Sequence, residues 1–450
     1  MGESEKPETL ESQKSGKLGA SGSSFRKLLT FQTLRLLVFQ DFPYLHFMNK
    51  NNQILLSVMM FLQFFIWGAW YGQMSKYLFT NLDATGSQVG NAYTAFSISM
   101  IVAPFFIGMI ADRYFAAQKV LGVLNILGAI ILYFLIQEKS ADHFYWWILA
   151  YCLTFAPTIA LTSSISMAHM SDPARQFPII RVMGTIAWFV VTNFVGFLGV
   201  GDKSTIFTIS MITSVVLGLY SFVLPNTPPK ATDKPTLAKI IGADAFVMFK
   251  DRSFLIFFIS SILISIPLSF YYAMVNPSLT DSGMTNVENK MSLGLLSEVL
   301  FMLAIPFAMR KFGVKWILVI ALIGWIIRFY LFSNGDGGSG IWMLYVAILL
   351  HGLCFDFFFV SGMIYTEAKA GEKIKSQAQG LISLATYGVG MGIGSWLAGK
   401  VTEFYTLEGV KNWAAIWMVP AAIAGVVLVL FLLFFKDNTR TAMPGKLSPT

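Results

Sequence analysis

Glu298 is the one formal charge in Met291–Met309, MSLGLLSEVLFMLAIPFAM. An α-helix rises ~1.5 Å per residue, so a run of about twenty residues crosses a ~30 Å hydrocarbon core and leaves Glu298 near mid-depth. An ionisable side chain there costs roughly 2.5 kcal/mol or more unless it faces a cavity or a partner. The chemistry to expect is proton handling, binding of a polar solute, or both. The plainer reading is a carboxyl kept protonated or paired inside a helix bundle. A second acid, Asp356, sits in LLHGLCFDFFFVSGMIYTEAKA, where His351 and Phe355 share a face at i and i+4. Low-dielectric surroundings favour the neutral form of a carboxyl, which suits proton uptake and release near neutral pH. Two acids in facing helices could share one proton or one basic partner. Glu367 lies nearer the end of its run and reads as a gate or surface residue.

The cation that could face these acids is Arg181. In FPIIRVMGTIAWFV, Arg181, Thr185 and Trp188 fall at i, i+4 and i+7 and share one face. Arginine stays charged, so inside a bundle it needs a carboxylate, a carbonyl or a polar ligand; near a helix end it can instead snorkel to the interface. Thr and Trp on the same face favour a ligand wall. In SSILISIPLSFYYAMVNPSL, Ser269, Tyr272 and Asn276 fall at i, i+3 and i+7. Pro267 can break the hydrogen-bond ladder of that helix, and Asn276-Pro277 is expected to end it. LQFFIWGAWYGQ adds Gln63, Trp67 and Trp70, rings beside polar groups that suit a planar or sugar-like ligand. The series Gly388, Gly390, Gly392 and Gly394 reads as a close-packing surface.

The elements that carry these residues are membrane helices. Of 450 residues, 55% are hydrophobic and 12% charged, about half the charge of a soluble domain. The formal charge of +8 forms no nucleic-acid stripe, because the basic residues lie between apolar runs. Cys152 and Cys354, with four scattered histidines, have no metal-site or disulfide spacing. No nucleophile–base pair supports an enzyme, and no cofactor is expected; a proton gradient would be the driving force.

Twelve runs are apolar: 53–79, 90–111, 118–137, 144–168, 177–200, 205–225, 254–278, 290–309, 314–333, 341–366, 378–402 and 413–435. Basic residues concentrate after the even-numbered runs, as with Arg113, Lys119 and Arg175, or Arg310, Lys311 and Lys315. The positive-inside rule then puts both termini in the cytoplasm. Residues 48–225 and 254–436 each hold six runs, joined by a linker, 226–253, with PNTPPKATDKP and an interfacial segment LAKIIGADAFVMFK. Matching junctions, Pro104-Phe105 before a charged turn and Pro306-Phe307 before another, suggest two related halves around a mid-membrane site. Residues 1–47 read as a disordered then amphipathic extension, or else the chain proper begins at Met48. Residues 437–450 read as a cytoplasmic tail.

The turn Gly108-Met-Ile-Ala-Asp112-Arg113, with Lys119 after it, looks like the gate loop of the major facilitator superfamily. A glycine allows close helix approach and the Asp can pair across a cytoplasmic gate. Together LQFFIWGAWYGQM, FIGMIADRYF, FAPTIALTSSIS, FPIIRVMGTIAWF, LLSEVLFMLAIPF and HGLCFDFFFVSG resemble the nucleoside:H+ symporter family of that superfamily, over about Met48 to Lys436. The resemblance implies an all-α, twelve-helix alternating-access fold and proton-driven nucleoside uptake across a bacterial inner membrane, by a protein expected to act as a monomer. It implies a substrate site of Arg181, Thr185, Trp188, Ser269, Tyr272, Glu298, His351 and Phe355, with Glu298 and Asp356 carrying the proton.

Three departures bear on the substrate. Ser269 and Tyr272 stand where the family has glutamine and asparagine, Leu295 replaces a glutamine one turn before Glu298, and Ser163 lies where asparagine is common. His351 also stands where a tyrosine can occur. An amide lost from a base-reading site leaves ligand atoms unpaired at ~1–3 kcal/mol each. Coupling is therefore expected to survive while base recognition shifts or loosens. The alternatives are a proton-linked symporter of a sugar or other polar solute, and a non-transporting membrane sensor.

Overall fold

The computed structural model describes residues 49–106, 114–229 and 243–436. The extension 1–47, the gate residues Gly108, Asp112 and Arg113, the first part of the linker segment and the tail 437–450 lie outside the described residues. In a bilayer a backbone can satisfy its polar groups only within itself, so each apolar run closes into a helix. In the first half these are α1 (Lys50–Trp70), α2 (Met74–Asn81), α3 (Gly86–Phe106), α4 (Ala117–Gln137), α5 (Ala141–Ala168), α6 (Pro173–Leu198) and α7 (Thr205–Tyr220). In the second they are α8 (Arg252–Asp281), α9 (Val287–Asn334), α10 (Ile341–Phe355), α11 (Ser361–Ser383), α12 (Met391–Phe404) and α13 (Trp413–Phe434). By length and composition, ten helical stretches among the described residues could cross a membrane. One of them, α9, is two arms, because Gly313 takes φ 77° and turns the chain back. With ψ 168° it lies in a region that essentially only glycine adopts, at a cost to a side-chain-bearing residue of roughly 1–3 kcal/mol. α3 is a further apolar helix, packed on α5 and α12.

Large apolar side chains such as Trp146, Phe197, Leu300 and Leu303 face outward, as a lipid-facing surface requires, while Trp70, Trp325 and Trp417 are fully buried. The halves meet where α3 lies on α12. A Cβ at Gly90 would stand 2.5 Å from the Ser395 carbonyl oxygen, so only glycine permits that approach. Gly390 and Gly394 pack on α8, consistent with their reading as a packing surface. Hydrogen bonds also join the halves. Lys76 Nζ meets Glu288 Oε1 at 2.9 Å, and Asn289 Nδ2 donates to Asn193 Oδ1 at 3.0 Å.

Four local features differ from the sequence expectation. The first run is interrupted by a turn at Tyr71–Gln73, between α1 and α2. α8 does not stop at Asn276-Pro277 but continues to Asp281. There Asn276, Pro277, Ser278 and Leu279 are all buried, and packing holds a helix that proline alone would end. Two π-helical segments, Asp356–Val360 and Leu384–Gly390, interrupt the tenth and eleventh runs. Such insertions cluster at functional sites because they re-aim the side chains around them. Of the linker, Ala243–Lys250 forms a 3-10 helix ahead of α8, whose N-cap Asp251 accepts from the N–H groups of Ser253 and Phe254.

Candidate functional site

A cavity of ≈ 140 Å³ lies between the halves. From the first half, α1 and the turn after it supply Phe64, Trp67, Tyr71, Gly72 and Gln73, and α6 supplies Arg181, Gly184, Thr185, Trp188 and Thr192. From the second, α8 supplies Tyr271 and Tyr272, α9 supplies Met291, Leu295 and Glu298, and α10 supplies His351 and Phe355. Tyr387, on the second π segment, and Met391 complete the wall. The walls follow helical periodicity: Phe64, Trp67 and Tyr71 repeat at i, i+3 and i+7, and Met291, Leu295 and Glu298 at i, i+4 and i+7. The rings interlock, with Trp67 and Trp188 centroids 5.1 Å apart and Tyr71 and Tyr272 centroids 5.5 Å apart. Arg181 is held over the Phe64 ring, 4.2 Å from its centroid, with Gly184 leaving room for the guanidinium.

Glu298 Oε1 meets His351 Nε2 at 2.8 Å. Backbone contact sets that distance. A Cβ at Gly352 would stand 2.4 Å from the Ser297 carbonyl carbon, and the Gly352 N–H donates to Ser297 Oγ at 2.9 Å. The imidazole is packed between Tyr271 and Phe355, with centroids at 4.9 and 5.8 Å. Behind it stands Arg328, from the second arm of α9, fully buried. Its Nε donates to the Ala347 carbonyl and its NH1 to His351 Nδ1, each at 2.9 Å, and its guanidinium lies 3.8 Å from the Tyr271 ring centroid.

The structure thus gathers Arg181, Thr185, Trp188, Tyr272, Glu298, His351 and Phe355 around one cavity. Ser269 stands off it: its hydroxyl is buried against the Ser265 and Met391 carbonyls, at 3.1 and 3.0 Å. Asp356 is also behind the wall, fully buried at the start of a π segment. It lies within electrostatic reach of Glu298, and no side chain among the described residues donates to its oxygens. Of the first-helix trio only Trp67 reaches the cavity; Gln63 donates to Thr158 Oγ1 at 2.7 Å, and Trp70 is packed against Tyr151 and Phe207.

Sequence reasoning passed over Tyr71, Gln73, Thr192, Tyr387 and Arg328. Thr192 extends the Arg181–Thr185–Trp188 series to i+11, so periodicity could have found it. Arg328 could have been found from its cost, as an arginine inside an apolar run. Gln73 and Tyr387 had no such signal, because a turn and a π segment place them.

A family model described as "Nucleoside H+ symporter" matches residues 50–440. The chain belongs to the nucleoside H+ symporter family. It is 40% identical over 405 residues to YegT of Escherichia coli (strain K12), covering 86% of this chain and 95% of that protein. To the xanthosine permease of the same organism it is 33% identical over 402 residues, covering 85% and 96%. The crystal structure of the nucleoside transporter NupG superposes with a TM-score of 0.78 at 30% identity, covering 86% of this chain and all of the other. As a member of this symporter family the chain is a multi-pass membrane transporter and not an enzyme, with a small molecule and the proton as its ligands.

Proposed function

We propose that the protein is a proton-driven symporter of nucleosides, or of solutes close to them, working by alternating access in a bacterial inner membrane with both termini cytoplasmic. One observation carries this reading: a carboxylate held by a buried histidine faces an arginine across an aromatic cavity between two half-bundles. In the proposed cycle Glu298 takes a proton from outside, with Asp356 as a second acid. Substrate then binds between Arg181, Thr185 and Trp188 on one side and Tyr272, His351 and Phe355 on the other. The pairs Lys76–Glu288 and Asn193–Asn289 form the outer seal that opens and closes as the halves rock. The proton and the substrate leave inward, the proton gradient being the only energy source and no cofactor taking part. One chain holds the complete cavity, which supports a monomer as the working unit.

The site differs from an amide-lined one in its polar partners. Leu295 and Tyr272 line the cavity, whereas Trp67 Nε1, Tyr71 Oη, Gln73 Oε1 and Thr192 Oγ1 are buried there with no hydrogen-bond partner among the described residues. Unpaired buried polar atoms favour a ligand that pairs them. They therefore replace the amides missing from α8 and α9 in reading the base and sugar, and base selectivity is shifted relative to a site with amides on those helices.

The test is counterflow and accumulation in proteoliposomes, with a panel of labelled nucleosides and sugars under an imposed pH gradient. Glu298→Gln should abolish accumulation while sparing exchange. Accumulation that persists in Glu298→Gln refutes the coupling role, and uptake of sugars in place of nucleosides refutes the substrate class.

A further inference from the structure

The contact between Arg328 and His351 carries a consequence for the proton. A guanidinium has only donors and stays charged, so the 2.9 Å contact from its NH1 obliges His351 Nδ1 to accept. The imidazole proton is then on Nε2, which points at Glu298 Oε1 at 2.8 Å. We propose that Arg328 is a positioning residue: it fixes His351 as the neutral Nε2–H tautomer, so that His351 is a permanent donor and the transported proton rests on the carboxyl of Glu298 and not on the ring. This rests on the reading of Glu298 as the proton carrier.

The geometry around the pair supports the assignment. Arg328 is itself held from two other sides, by the Ala347 carbonyl and by the Tyr271 ring. It cannot swing away from Nδ1 without leaving a buried cation unsolvated, which is costly. The other titratable or charged groups near the pair are Tyr271 and Tyr272 from α8, Arg181 from α6, Tyr387 from the second π segment, and Cys354 and Asp356, further along the chain from His351 at the end of α10 and the start of the first π segment. Both ring nitrogens of His351 are already engaged, by Arg328 and Glu298. A histidine that could protonate would pair with Glu298 and keep the proton on the ring. The lock prevents that. A tyrosine at this position would need no lock, since a hydroxyl has no second nitrogen to protonate.

The direct test is nitrogen NMR of the full chain, 15N-labelled at histidine, in lipid nanodiscs, with His351→Gln identifying the His351 signals. The wild-type ring should show the Nε2–H neutral form from about pH 6 to about pH 8, where an ordinary histidine titrates. In Arg328→Gln the ring should titrate in that range. The pH of half-maximal uptake should also move upward by about one unit, the scale expected when a charge beside a proton site is removed. Arg328→Lys, which keeps a charged donor, should stay close to wild type. A wild-type His351 with its proton on Nδ1, or one that titrates, overturns the proposal. So does an Arg328→Gln ring that leaves both signals and pH profile unchanged. Should Arg328→Gln fail to fold, the wild-type spectrum alone still decides. If Glu298→Gln keeps accumulating, the functional reading fails while the tautomer result stands on its own. If Glu298→Gln loses accumulation and Arg328→Gln changes nothing, only the present inference fails.

Discussion

Replacing Gly352 with alanine tests whether backbone contact between α9 and α10 sets the Glu298–His351 distance. The added Cβ would lie 2.4 Å from the Ser297 carbonyl carbon and 2.5 Å from both the Ser297 oxygen and the Glu298 nitrogen. All three are backbone atoms, so no rotamer change can relieve the clash. Ordinary contact begins at 3.4 Å, so the helices must part by about 1 Å. Carried to the adjacent pair, that lengthens the 2.8 Å contact of His351 Nε2 with Glu298 Oε1 beyond hydrogen-bonding range. The loss of a charge-assisted hydrogen bond is worth about 1.5–3 kcal/mol, and overpacking adds about 1–3 kcal/mol. Gly352→Ala should therefore lower the melting temperature of the purified protein by several degrees. It should also reduce proton-driven accumulation more than counterflow exchange, because the carboxylate loses its fixed donor while the cavity persists. Gly425→Ala is the control: nothing lies within 4 Å of its Cβ, and alanine is the better helix former. If Gly352→Ala behaves like Gly425→Ala in both assays, the claim that helix packing positions Glu298 is wrong.

Lys76→Met leaves Glu288, whose side chain is 6% exposed, as a buried carboxylate without its cation. The expected destabilisation is about 3 kcal/mol, with Lys76→Met/Glu288→Gln recovering most of it; a double variant no more stable than the single one would show that the pair does not act as a unit. Burial alone would push the Asp251 carboxyl up, but hydrogen bonds from Lys369 and from the first backbone N–H groups of α8 outweigh it and hold the carboxyl below its ordinary value. Its stabilisation is therefore complete above about pH 4 and lost as pH falls through the lower folded value. Asp251→Asn should cost no more than about 1 kcal/mol at neutral pH, since asparagine still caps a helix. The variant should also lack one component of the acid-induced fall in melting temperature; identical acid limbs in the two proteins would remove Asp251 as its source.

Much of the candidate site was legible in the sequence because a charge inside a bilayer announces its own cost. Glu298, Asp356 and Arg181 were visible on that ground, and Thr185 and Trp188 followed from helical spacing. The same rule applied to Arg328, yet one arginine in an apolar run gives no sign of what it meets. Ser269 sat on a plausible polar face, but α8 turns that face onto Met391, where a backbone carbonyl takes the hydroxyl. Tyr387 and Asp356 owe their directions to π segments, which shift the register of a helix without leaving a mark in hydrophobic periodicity.

Apolar length, the placing of basic loops and the few charges inside apolar runs are local properties, each settled by a residue and its near neighbours. The sequence by itself therefore determined that the chain is a bundle of membrane helices with a costly carboxyl at Glu298, and its motifs were sufficient to place the family. Which atoms meet was decided only in the tertiary structure. His351 is a donor to Glu298 because Gly352 lets α10 touch α9, and because Arg328, from the other arm of α9, occupies the second ring nitrogen. A tautomer depends on two contacts at once, and neither contact exists until three helical segments far apart in the chain pack together.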